Sequence, residues 1–164
     1  MRKEEAKTAL KQAGKVLRKF ENQVVSFRAP NLQFPASYLE LLEGEGFLYD
    51  SSIAAYKPGF FRNKNKSKII RVPATVTSSF FRLPPDFFLP FIRHVKAPVI
   101  FVHPWEFVDM SELPIRLDCK FNTGEKALKN MEILIRTLKT ENYRFLTLKE
   151  RAGIEKNQIR MGKR

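Results

Sequence analysis

Residues 24–50 read VVSFRAPNLQFPASYLELLEGEGFLYD, and their order decides the fold class. Val24-Val25-Ser26-Phe27 is a short strand-forming run that ends at Arg28, because Ala29-Pro30 cannot carry a hydrogen-bonded ladder further. Pro35 suits the first turn of a helix, and Tyr38, Leu41 and Leu42 give that helix one apolar face by their three- and four-residue spacing. Gly44 and Gly46 are placed to end it. Gly46-Phe47-Leu48-Tyr49 then forms a second strand that stops at Asp50. A strand, a helix and a strand in this order imply an α/β unit with parallel pairing.

The flanking sequence extends the pattern. Residues 3–20 carry Ala6, Leu10, Ala13, Leu17 and Phe20 on one face of an amphipathic helix. Ile69-Ile70-Arg71-Val72 is another extended piece, cut off by Pro73. Residues 85–95 read as helical, with Pro90 expected to kink or divide them. Val99-Ile100-Phe101-Val102 is the clearest strand by composition, and its continuous apolar run predicts burial on both faces. It leads into His103-Pro104-Trp105-Glu106. Asn122 with Glu125 three residues on has the form of a capping box, opening a helix with Ala127, Met131, Leu134, Ile135 and Leu138 on one side. Tyr143-Arg144-Phe145-Leu146 is read as a last strand, and residues 148–164 as a short helix with a basic tail. Three of the strands end in polar residues, Arg28, Asp50 and His103, and α/β folds collect their chemistry at such ends.

Composition narrows the function. With 43% hydrophobic residues in 164, the chain has the makings of one packed globular domain. No apolar run reaches the ~20 residues of a membrane span. The charged start, Met1-Arg2-Lys3-Glu4-Glu5, is unlike a secretion signal, so a cytoplasmic location is expected. A single cysteine, Cys119, excludes a disulfide framework and multi-cysteine metal sites, and is expected to be a small buried or half-buried residue. Two histidines, His94 and His103, leave almost no histidine-based metal chemistry.

The net charge is +13, which attracts polyanions without specifying a fold. Residues 51–85 contain no acid, yet hold Lys57, Arg62, Lys64, Lys66, Lys68, Arg71 and Arg82 among Tyr56, Phe60, Phe61, Phe80 and Phe81. Basic residues with aromatics can bind single-stranded nucleic acid, but no nucleic-acid fold signature accompanies them. An anionic cell-wall polymer, an acidic partner or plain solvation are the other readings of this stretch.

Several of these segments, in order, resemble the polysaccharide deacetylases with a NodB-homology domain (carbohydrate esterase family 4). Residues 25–30 look like that family's arginine-proline motif, and residues 46–53 like its "G-F-x-Y-D-S-S" strand end. Residues 81–84 are similar to a segment before the late helix of one subgroup, and residues 101–106 to that subgroup's "H-P-W-E" motif. Residues 144–148 are similar to the closing strand. The likeness spans residues 6–150 and implies that residues 1–150 are the C-terminal portion of the domain, a partial (β/α) barrel without its N-terminal strands, followed by a basic tail at 151–164.

The resemblance implies a metal-dependent hydrolase that removes N-acetyl groups from glycans. It makes His103 the acid that protonates the leaving amine, and Arg28 the partner of a base aspartate. Pro30, Phe101 and Trp105 would line the substrate, with Phe101 standing where the family usually has a leucine at the acetate pocket. Trp105 is read equally as a sugar platform or as packing. Asp50-Ser51-Ser52 is read as a rigid turn, not as a catalytic acid.

The family's aspartate pair and its two histidines four residues apart, which bind a divalent metal such as zinc, have no counterpart here. This chain therefore offers no metal ligands and no cofactor site of its own. A metal lowers the pKa of bound water from 15.7 to about 7, and an acid alone, worth ~10²–10⁴-fold, does not replace that. The chain is expected to be inactive alone, completed by an N-terminal half on another chain, or a glycan-binding remnant. Half a barrel leaves strand edges open, so self-association is expected as well.

Overall fold

The structure, a computed structural model, describes residues 2–56 and 67–161. The fold is mixed helix and sheet with a small three-stranded parallel sheet. Two compact units make up the chain, residues 1–73 with 146–164, and residues 74–145. None of the described residues forms a helix long and apolar enough to cross a membrane.

The first unit is built around the strand–helix–strand segment. Helix α1 spans Lys3–Leu17 and buries Ala6, Leu10 and Gly14, a stripe of four-residue steps. Glu4 and Glu5 in its first turn and Lys15 in its last complement the helix dipole. Phe20, expected on the buried face, lies beyond the helix and is 86% exposed. Leu17 and Ala13 are exposed too, since Gly14, not Ala13, takes the inward position. Removing the β-carbon there leaves room for Arg18, whose guanidinium would lie 2.9 Å from a Cβ at Gly14. Arg18 instead donates to the Glu45 carbonyl at 2.7 Å and lies over the Phe47 ring at 5.2 Å.

Strands β1 (Ser26–Phe27), β2 (Tyr49–Asp50) and β3 (Ile70–Arg71) pair in parallel in the order β1-β2-β3. The register sets Phe27 opposite Asp50, and Asp50 opposite Arg71. Helix α2 (Leu39–Gly44), reached through one 3-10 turn at Ala36–Tyr38, connects the first two strands. It buries Leu39 and Leu42, while Tyr38 and Leu41 are half-buried. Gly46, at φ 78°, ends it in a Schellman motif: its amide bonds the Glu43 carbonyl, and the Phe47 amide bonds the Leu42 carbonyl at 2.9 Å. Leu10, Leu39, Leu42, Phe47 and Ile69 form the core, with Phe27 and Phe34 packed against it and edge to face with each other. Helix α6 (Leu148–Met161) opens with Thr147 and Glu150 bonded to each other and buries Ala152, so a helix occupies most of the expected basic tail.

The second unit has no strand among its described elements. Helix α3 (Pro85–His94) starts on Pro85 and continues through Pro90 undivided, burying Phe88 and Ile92. A short helix, α4, covers Leu117–Lys120. Helix α5 (Glu125–Thr140) buries Ala127, Leu134 and Leu138 and leaves Ile135 exposed at its border. Val76, Phe81, Phe88, Ile92, Leu134 and Leu138 form this unit's core.

Three expectations fail here for identifiable reasons. Residues 99–102 form no strand: the Val99 amide is taken by the Thr75 side chain, and the Val99 carbonyl accepts the Thr75 amide. Val102 is 40% exposed, so the run is not buried on both faces. Residues 143–146 form no strand either. Asn142, at φ 62°, closes α5 in a second Schellman motif, with the Tyr143 amide bonded to the Leu138 carbonyl at 2.9 Å. Asn122 does not cap α5, whose cap is Gly124; the Asn122 amide instead donates to the Arg82 carbonyl at 2.9 Å. Lys57, Phe60, Phe61, Arg62, Lys64 and Lys66 of the basic stretch lie outside the described residues.

Candidate functional site

Arg28 and Pro30 belong to the first unit, and Phe101, His103 and Trp105 to the second. At the C-terminal end of the sheet, β2 delivers Asp50 into full burial. One carboxylate oxygen accepts the Ser52 amide at 2.9 Å, and the other accepts the Arg71 Nε at 2.8 Å. The first bond is the turn the sequence implied. The second is an ion pair in which the carboxylate is fully buried and the Arg71 side chain 10% exposed. Arg28, leaving β1, donates to the Ser51 hydroxyl at 2.7 Å and to the Ser51 carbonyl at 3.3 Å. Burial pulls its guanidinium below the ordinary value, and the Asp50 charge offsets part of that. The Ala29 amide donates to the Ser52 hydroxyl at 2.7 Å. Pro30 is exposed and opens a 3-10 turn in which Asn31 and Leu32 both have positive φ. This end of the sheet is a hydrogen-bonded frame, with Arg28 and Arg71 as its charged rim.

In the second unit His103 caps a single 3-10 turn, Pro104–Phe107. That geometry eclipses side chains three residues apart, which brings Glu106 back beside His103. Glu106 Oε1 lies 3.5 Å from His103 Nδ1, with the carboxylate buried and the imidazole 45% exposed. Ser78, on the 3-10 segment Ser78–Arg82, donates to the same Glu106 oxygen in a short hydrogen bond, and its Oγ is 3.4 Å from His103 Nδ1. The Trp105 ring stacks on His103 at 5.7 Å and 25°, and the Phe101 ring meets it edge-on at 5.6 Å.

Arg82 lies over Trp105 at 5.6 Å. It is itself buried, holding the Phe121 and Asp118 carbonyls and the Ser79 hydroxyl at 2.7–2.9 Å. The Glu106 carbonyl accepts the Gly124 amide at 2.9 Å, tying the turn to the start of α5. Cys119 is half-buried, as expected for a small packing residue.

Arg71, Ser78, Arg82 and Glu106 join these sites without being candidates in the sequence. Two signals were present. Arg71 ends a parallel strand just as Arg28 and Asp50 do, and Glu106 follows His103 by three residues across a proline-opened turn. Ser78 left no signal, since it reaches His103 only through the fold.

No family model, no curated protein and no solved structure matches this chain. Among the described residues no three His, Cys, Asp or Glu side chains converge in a way that could hold a metal ion. They do not fit the divalent metal that the resemblance implies.

Proposed function

We propose that this chain is one part of a carbohydrate deacetylase of the NodB type, with His103 as the acid that protonates the amine leaving an N-acetylated glycan. One observation carries the reading: a half-exposed imidazole flanked by Trp105 and Phe101, with a buried carboxylate at Nδ1. An aromatic-walled histidine with one nitrogen engaged suits proton transfer to a sugar amine. Further support comes from the order of the motifs and from consecutive parallel strands in the order β1-β2-β3, the progression of a (β/α) barrel. In this reading the metal ligands and the base aspartate come from a second polypeptide, and Arg28 meets that aspartate.

Acetate release from N-acetylchitotetraose tests the reading. The purified chain with zinc is expected to be silent. Co-expressed with the product of the reading frame immediately upstream, it is expected to release acetate, and the release should vanish in His103→Ala. Glycan binding without acetate release under every condition would replace the enzyme with a glycan-binding module.

A further inference from the structure

Two side chains converge on one nitrogen of His103. Ser78 Oγ and Glu106 Oε1 both lie at Nδ1, at 3.4 and 3.5 Å, and Ser78 is hydrogen-bonded to that same carboxylate oxygen. A serine–histidine–acid nucleophile system divides its partners between the two ring nitrogens, the hydroxyl at one and the carboxylate at the other. Here both lie at one nitrogen. Ser78 is also buried, with its hydroxyl directed at Glu106. It is therefore not a nucleophile. Among the described residues no hydrogen bond reaches the Nε2 of His103.

We propose that Ser78 and Glu106 are a positioning pair that fixes His103 as its Nδ1–H tautomer, leaving Nε2 as the atom that gives or takes a proton. The proposal rests on His103 being the acid of the proposed function, and adds the residues that orient it. The 3.5 Å separation suits a site that tightens on engagement, since catalytic hydrogen bonds are often long before substrate binds. Ser78 gives its proton to Glu106, so its Oγ accepts Nδ1–H, and the Glu106 carboxylate faces the same proton from 3.5 Å. When the imidazolium donates, the Nε2–H bond breaks, its proton forms the second N–H bond of the sugar nitrogen as that nitrogen's bond to the acetyl carbon breaks, and a neutral Nδ1–H imidazole remains beside the free amine. Both roles are carried out through His103; neither Ser78 nor Glu106 touches substrate.

The chain's two histidines make a direct test practicable. In ¹⁵N-labelled full-length protein, long-range proton–nitrogen correlation spectra assign each ring nitrogen as protonated or bare, at a pH where the rings are neutral. His94 is an internal reference, because its Nδ1 lies 2.6 Å from the Pro90 carbonyl, which can only accept. His94→Gln assigns the signals. His103 is expected to show a protonated Nδ1 and a bare Nε2, a pattern that Ser78→Ala weakens and Glu106→Gln shifts towards Nε2–H. A wild-type His103 protonated mainly at Nε2 would overturn the proposal, even if Glu106→Gln did not fold. So would a folded Glu106→Gln whose tautomer is unchanged. The readout needs no turnover, so failure of the positioning pair is seen in the tautomer and failure of the deacetylase reading is seen separately in the acetate assay.

Discussion

The Arg71 guanidinium meets the buried Asp50 carboxylate at 2.8 Å, across the last register pair of two adjacent parallel strands. The pair stands where the sheet presents its C-terminal end, so it braces the frame on which Arg28 is held. Removing one partner of a buried pair leaves an uncompensated charge and costs about 3–5 kcal/mol. Arg71→Met is expected to lower unfolding stability by about that much in a denaturant titration. Arg71→Met combined with Asp50→Asn should recover part of the loss; a double variant weaker than the sum of its parts would contradict this.

Gly46 and Asn142 end their helices with the same pair of backbone bonds at positive φ. A Cβ at Gly46 would meet only Arg18, at an ordinary 3.5 Å, so the cost of a side chain there is conformational. Gly46→Ala should destabilise by about 1–2 kcal/mol, and Asn142→Ala by a smaller amount, because asparagine already bears part of that cost. Thermal unfolding of the two variants checks the order, and a neutral Gly46→Ala would refute the motif.

Glu43 accepts the Lys68 amide at 3.2 Å and the Ser67 hydroxyl at 3.1 Å, and these bonds, the amide first, hold its carboxyl below the ordinary glutamate value. A depressed folded pKa gives stability that is complete above the unfolded value of about 4.3 and is lost as pH falls through the lower folded value. Glu5, held down by Arg2, and Asp109, held down by Ser111, act in the same direction. The urea midpoint should therefore fall on acidification below about pH 5. Glu43→Gln should shallow that fall; an identical acid limb would show that the contact contributes nothing.

The legibility of the fold divides at the unit boundary. In the first unit the pattern from Val24 to Asp50 was readable because local signals agreed with the fold: proline stops, one apolar helix face and a glycine end. Even there Leu39, not Tyr38, took the core position, since a 3-10 turn shifted the phase of α2. The apolar runs at 99–102 and 143–146 look like strands, yet the Val99 amide goes to the Thr75 side chain and the Tyr143 amide to the end of α5. Composition records β preference but not where a backbone bond goes. His103 was legible as a candidate, and its partner Glu106 was legible in principle from the three-residue spacing. Ser78 was not, because only tertiary packing brings it there.

Strands β1 and β3 are the outer strands of the sheet, and among the described residues neither has a second ladder partner. Phe20, Phe87 and Leu117 are exposed as well. Open edges and apolar side chains favour association, as the half-barrel reading requires. Sedimentation velocity across a concentration series should give a mass above the 19.1 kDa of one chain. A monodisperse monomer throughout would remove the half-barrel from the account.

Trp105 is the chain's single tryptophan and stacks on His103, so its fluorescence reports on the proposed glycan site directly. The central measurement is a titration of the purified chain with N-acetylchitotetraose, followed by Trp105 emission, with fully deacetylated chitotetraose alongside. A saturable change with the acetylated glycan, weaker with the deacetylated one, is the predicted result. Emission that stays flat with both sugars, in protein shown to be folded, would contradict the assignment of His103 to a carbohydrate site.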